Sequence, residues 1–177
     1  MNYKNKYSHL NYRIGKGLIF HISPSNVPLN FGYSYIFGLL AGNSNIVRVP
    51  SKNFPQLDLL IFHINDVLSQ KKFSRLNSRT SFIKYNRLSN ATDLISAQCD
   101  LRLIWGGDET INQIRKSQLP TKSTDITFSD RYSFALIDSD FFINQSVNDQ
   151  EKLFENFYND TYLMDQNACS SPHIVFW

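Results

Sequence analysis

The chain has 177 residues, 42% of them hydrophobic and 19% charged, with a formal net charge of +3. That length fits one domain with a real core, and the composition excludes a disordered chain. The small, scattered positive charge excludes nucleic acid as the expected partner, and no window approaches the ~18 continuous apolar residues of a membrane-inserted helix. Met1 to Arg13 is polar and lacks the apolar core of a signal peptide. The only cysteines are Cys99 and Cys169, and no CxxC or Cys/His cluster has zinc-ligand spacing. The expectation is a cytoplasmic protein with reduced thiols and no metal site.

In chain order, Leu18 to Ile22 is a strand candidate that ends in the turn Ser23-Pro24-Ser25-Asn26. Apolar residues recur at helical spacing from Pro28 to Ala41 (Leu29, Tyr33, Ile36, Phe37, Leu40), and Gly42-Asn43 stops that helix. Asn45 to Val49 is a second strand, broken by Pro50. Pro55 to Ser69 is an amphipathic helix through Leu57, Leu60, Ile61, Ile64 and Leu68. Lys71, Lys72, Arg75 and Arg79 then read as a solvated face. Ser81 to Tyr85 is a third strand, Ala91 to Gln98 a short helix, and Leu101 to Trp105 a fourth strand. Gly106-Gly107 precedes a helix from Asp108 to about Ser117. A fifth strand runs from Ser133 to Ile137, a last helix from Gln150 to Met164, and a strand from Pro172 to Trp177. Strands alternating with helices call for a parallel sheet covered on both faces, a doubly wound, Rossmann-like α/β fold. The chain stops inside an apolar strand, as a fragment of a longer protein does.

In such a fold ligands bind at the carboxyl ends of the strands. At the first end, Ser23 to Pro28 is either an ordinary proline turn or a rigid mount for the Asn26 amide. At the second, Arg48, Ser51 and Lys52 are either surface groups or a seat for a nucleotide ribose and its 2′-phosphate. At the fourth, Gly106 and Gly107 either make a tight turn or let backbone N–H groups approach a pyrophosphate. Cys169 sits in Gln166-Asn167-Ala168-Cys169-Ser170-Ser171-Pro172, among small and amide side chains. It reads as a loop or core cysteine, or as a nucleophile that a carbonyl can reach. His21 and His63 read as core or surface residues, His173 lies on an extended segment, and Asp138 and Asp140 look like a turn and helix cap.

Taken in order, Pro24-Ser25-Asn26-Val27-Pro28, Ala41-Gly42-Asn43, Arg48-Val49-Pro50-Ser51-Lys52, Gly106-Gly107 and Gln166-Asn167-Ala168-Cys169 resemble the aldehyde dehydrogenase superfamily. Asp130-Arg131-Tyr132-Ser133-Phe134 and the run from Gln166 to Pro172 are most similar to its acyl-CoA reductases of LuxC type, the reductase subunit of bacterial fatty-acid reductase complexes. The resemblance implies a nucleotide-binding domain over residues 1–163 and the start of a catalytic domain over 164–177, most of which is missing. It implies Cys169 as the nucleophile that accepts an acyl group from acyl-CoA or an acyl-protein thioester. The Asn26 amide would join the Cys169 N–H in an oxyanion hole, and the acyl-enzyme would be reduced to an aldehyde. It implies Ser23, Arg48, Ser51, Lys52, Gly106 and Gly107 as cofactor-binding residues. Lys52 stands where the NAD-dependent pattern has Glu, so the cofactor expected is NADPH. The glutamate base of the hydrolytic members has no counterpart in Thr127 to Tyr132, as suits a reductase. A homo-oligomer or the other fatty-acid reductase subunits are the implied partners. A non-catalytic nucleotide-binding fragment, or a relative acting on an aldehyde or acyl phosphate, is the alternative.

Overall fold

The computed structural model describes residues 14–86 and 88–177. The expectation for Met1 to Arg13 lies outside them. Two compact units divide the chain after Phe128. The first contains β1 (Leu18–Ile22), α1 (Phe31–Leu40), β2 (Ser44–Arg48), α2 (Pro55–Ser69), a short 3₁₀ turn, α3 (Ser74–Asn77), β3 (Thr80–Ile83), α4 (Ala91–Ser96), β4 (Leu101–Trp105), α5 (Asp108–Arg115) and β5 (Thr124–Phe128). Its five strands form one parallel sheet in the order β3-β2-β1-β4-β5. This is the expected doubly wound α/β architecture, and its direction of winding reverses between β1 and β4.

Alternation along the strands sends apolar side chains to both faces of the sheet. On one face Phe20, Ile22, Cys99, Ile104, Ile111 and Ile114 form a core. On the other, Phe31, Tyr35, Val47, Val49 and Leu57 do so, with Leu60, Ile61 and Ile64 of α2 packed against them. Helix α1 buries a different stripe from the one its spacing suggests. Phe31, Gly32, Ser34, Tyr35 and Gly38 face the sheet, while Leu29, Tyr33, Ile36, Phe37 and Leu40 are exposed. Small residues let the helix backbone approach closely, and a Cβ on Gly38 would collide with the Asn45 side chain.

Beneath α1 lies a buried polar cluster. The His21 imidazole Nε2–H donates to Asn45 Oδ1 at 2.9 Å, and Asn45 Nδ2 donates to the Asn43 carbonyl at 3.1 Å. Asn43 Nδ2 donates to the Gly38 carbonyl at 3.0 Å, and its Oδ1 accepts from the Gly17 N–H at 3.1 Å. The Ala41-Gly42-Asn43 run therefore docks the end of α1 onto the starts of β1 and β2. Gly42 takes the left-handed φ of +87° that ends the helix. Burial pushes the His21 pKa down from 6.5 to about 4. Between those two values the unfolded chain binds a proton that the native imidazole refuses. Stability is therefore full above pH 6.5 and falls as pH drops toward 4, by about 3 kcal/mol in all. Urea titrations at several pH values check this. His21→Gln removes up to one proton's worth of slope, and an unchanged slope contradicts it.

Two features differ from expectation. The first is β5, whose sequence Thr124-Asp125-Ile126-Thr127-Phe128 alternates too weakly to signal a strand and carries an Asp, a poor strand former. That Asp is held by Arg102, its direct neighbour in register on β4. The second concerns the strand at Ser133, which does not join the large sheet. In the second unit β6 (Ser133–Leu136) pairs in parallel with β7 (Pro172–Phe176), with α6 (Ser139–Ile143) and α7 (Val147–Tyr162) between them. This pairing groups residues 129–177 in one compact unit. Asp138 caps α6 by accepting from the Phe141 N–H at 3.0 Å, and Ser146 caps α7 through the Asp149 N–H at 3.2 Å.

Candidate functional site

Because β1, β2 and β4 are parallel and adjacent, the loops after them share one edge of the sheet, beside the reversal between β1 and β4. This edge collects Ser23, Asn26, Arg48, Ser51, Lys52, Gly106 and Gly107. The Ser23 N–H donates to the Arg48 carbonyl at 3.1 Å, tying the first loop to the second strand. The Ser23 hydroxyl oxygen is buried without a hydrogen-bond partner, as is Trp105 Nε1 at the end of β4. A buried polar atom left unpaired costs about 1–3 kcal/mol, so two of them at the ends of β1 and β4 fit a site that a polar ligand completes. Asn26 is exposed in the loop between β1 and α1, where the Asn30 N–H closes a turn onto the Val27 carbonyl at 3.1 Å.

At the end of β2, the Arg48 guanidinium stacks over the Tyr85 ring with Cζ 4.8 Å from its centroid. Ser51 Oγ reaches the Tyr85 carbonyl at 3.5 Å, and Lys52 is exposed with Nζ 5.5 Å from the Phe54 ring centroid. Lys84 pairs with Asp58 at 3.2 Å. Ser51, Lys84, Tyr85 and Asn86 line an open pocket of about 470 Å³. The edge thus offers cations and a hydroxyl to an anion, and no carboxylate stands at the position of Lys52. Sequence reading missed Tyr85 and Trp105 as site residues. Their signal is position, since each is an aromatic residue at the carboxyl edge of the sheet.

At the end of β4, the Gly106 N–H donates to the Phe128 carbonyl at 3.2 Å, and a Cβ on Gly106 would press on the Thr110 side chain. Gly107, extended at φ −66° and ψ 163°, is the N-cap of α5, and Asp108 is the first helical residue. Asp108 and Glu109 place two carboxylates in the first turn of α5 and answer the helix dipole from within the chain. Of the pair, Gly107 is the residue at the helix start that a phosphate can approach.

Cys169 belongs to the second unit. It is exposed and free, which rejects the core-cysteine alternative. The segment before it takes two successive left-handed residues, Asp165 (φ 49°) and Gln166 (φ 58°), a conformation costly for side chains with a Cβ. Local hydrogen bonds hold it. The Asn167 side-chain amide donates to the Met164 and Asp165 carbonyls at 3.0 and 3.1 Å, and the Ser171 N–H closes a turn on the Ala168 carbonyl at 3.0 Å. Ser133 Oγ donates to the Cys169 carbonyl at 2.7 Å, anchoring the thiol's own backbone to β6. The side chain is therefore presented to solvent from a pinned turn. Cys99 is its opposite, a fully buried thiol whose pKa burial pushes up. His173 stacks on Tyr132 with ring centroids 5.0 Å apart. Among the described residues no group of His, Cys, Asp and Glu could hold a metal ion, and no helix is long and apolar enough to cross a membrane.

Residues 2–177 match the family described as acyl-CoA reductase (LuxC). The long-chain acyl-protein thioester reductase of Vibrio harveyi is 26% identical over 162 residues, which is 92% of this chain and 32% of that protein. An aldehyde dehydrogenase from Bartonella henselae superposes with a TM-score of 0.66 at 17% identity, over 92% of this chain and 32% of its own. A betaine aldehyde dehydrogenase from Staphylococcus aureus, solved in complex with NAD+, does so with a TM-score of 0.64 at 20% identity, over 91% and 30%. This chain spans about a third of the length of each of these relatives. The structural neighbours share its doubly wound α/β fold. The chain belongs to the acyl-CoA reductase (LuxC) family.

Proposed function

We propose that this chain carries the dinucleotide site and the acyl-accepting thiol of an NADPH-dependent acyl thioester reductase, taking long-chain acyl-CoA or an acyl-protein thioester to the aldehyde. The observation that carries the reading is the strand-end edge beside the β1/β4 reversal, where an unpaired Ser23 hydroxyl, Arg48, Ser51 and Lys52 converge in a chain of this family. Ser23, Gly106 and Gly107 would hold the middle of a dinucleotide, and Arg48, Ser51 and Lys52 its adenosine ribose. A reduced nicotinamide dinucleotide, when bound, supplies the hydride for the acyl carbon.

The chain's own residues do the rest. The Cys169 thiolate attacks the thioester carbonyl, its S–C bond forms, the S–C bond to the carrier breaks, and the carrier leaves as a thiolate that takes its proton from solvent. The Asn26 amide and the Cys169 N–H stabilise the oxyanion. Once the acyl carbon has been reduced, the same donors hold the thiohemiacetal oxygen until the aldehyde departs and the thiolate is regained.

Titration calorimetry with NADPH and NADH tests the cofactor half. NADPH is expected to bind about 10-fold or more tightly than NADH, because charge-assisted contacts to a phosphate are worth about 1.5–3 kcal/mol. Equal affinities, or binding of neither, overturn it.

A further inference from the structure

We propose that Tyr85 is a positioning residue of the dinucleotide site, one that selects a phosphate monoester on the adenosine ribose by fixing Arg48. The inference rests on the nucleotide reading above and adds a residue to it. Tyr85 ties the end of β2 and the residues after β3 to α4. Its ring lies under the Arg48 guanidinium at 4.8 Å. Its phenol shares a 2.8 Å hydrogen bond with Thr92 Oγ1 of α4, and its carbonyl accepts from Ser51 Oγ at 3.5 Å. The ring also packs against the core of Phe20, Ile22 and Ile104. Phenol, ring and carbonyl are thus each held by a different element, so the ring face under the guanidinium is fixed.

A guanidinium on a long side chain has many rotamers, and holding it in one lowers the entropy lost when an anion is bound. Tyr85 also forms a wall of the 470 Å³ pocket with Ser51, Lys84 and Asn86. Lys84 there is neutralised by Asp58 at 3.2 Å, so the second wall brings little net charge of its own. Selectivity for a dianion then depends on how well Arg48 is aimed rather than on how many cations line the pocket.

The test is calorimetric titration of the 177-residue chain with NADPH and with NADH, for the native protein, Tyr85→Phe, Tyr85→Leu, Tyr85→Met, Arg48→Leu and the Arg48→Leu/Tyr85→Leu double variant. The two aliphatic replacements should each weaken NADPH about 10-fold and NADH less than about 3-fold, in the range of a partly desolvated cation–π contact. Tyr85→Phe keeps the ring and should retain native discrimination. If Tyr85 acts through Arg48, the double variant binds NADPH no more weakly than Arg48→Leu alone. Equal losses for both nucleotides show a purely structural role and overturn the proposal, as does additivity in the double variant. A native chain that binds NADPH while the aliphatic variants match it overturns this inference alone. A native chain that binds neither nucleotide overturns the cofactor reading and this inference with it.

Discussion

Replacing Asp125 by Ala is expected to destabilise the chain by about 3–5 kcal/mol, the cost typical of stranding one partner of a buried ion pair. Arg102 is 1% exposed, on a central strand, and its guanidinium has four short bonds. Nε and one terminal nitrogen donate to the two Asp125 oxygens at 2.7 and 2.9 Å, a bidentate pair. The other terminal nitrogen donates to Ser96 Oγ at 2.9 Å and to the Ser117 carbonyl at 3.0 Å. One side chain therefore ties β4 to β5, to the end of α4 and to the turn after α5. Arg115 stands 3.8 Å from the same carboxylate but is half-exposed, and contributes little. With whole-domain stabilities of about 5–15 kcal/mol, the Ala variant loses a large share of the total. The double variant Arg102→Met/Asp125→Val should recover most of it, because an apolar pair of similar volume leaves no charge buried. Urea denaturation of both variants checks this. A loss below about 1 kcal/mol in Asp125→Ala, or no recovery in the double variant, refutes the assignment.

The same pair explains what was hard to read in the chain. The strands β1, β2 and β4 each carry adjacent apolar residues (Leu18-Ile19-Phe20, Ile46-Val47, Leu103-Ile104-Trp105) near Gly, Pro or Asn, so hydrophobic pattern and turn chemistry agree and their positions are legible. In β5, Asp125 contradicts strand propensity, and its reason lies 23 residues away in Arg102. No local window contains that partner. The Ser133 strand was legible as a strand but not as to its sheet, because its partner begins at Pro172. The α1 stripe misled for another reason. The helix is apolar nearly all round, so the choice of buried face fell to Gly32, Ser34 and Gly38, whose value is their small size. The strand-end loops were legible as a group, since parallel topology alone brings Ser23, Arg48, Ser51 and Gly106 to one edge. The role of Tyr85 depends on ring orientation and was not.

Cys169→Ser is expected to abolish covalent labelling by radiolabelled long-chain acyl-CoA while NADPH binding persists. A hydroxyl at neutral pH is a far weaker nucleophile than a thiol, and among the described residues no histidine is bonded to Cys169 to activate a serine in its place. The fall should be at least about 10³-fold in single-turnover labelling, a change in chemistry rather than in affinity. The chain supplies its own control in Cys99. That thiol is fully buried, donates to the Ser96 carbonyl at 3.4 Å, and has its pKa raised, so Cys99→Ser should label as the native chain does. Peptide mass spectrometry should find the acyl group on the segment containing Cys169 and not on that containing Cys99. Asn26→Ala should retain the site of labelling but slow it by roughly 10²–10³, the loss expected for one oxyanion donor. Labelling on Cys99, or full labelling of Cys169→Ser, removes Cys169 as the acyl acceptor. An Asn26→Ala rate equal to the native one leaves the thiol in its role and removes only the amide, which separates the two halves of the proposed site.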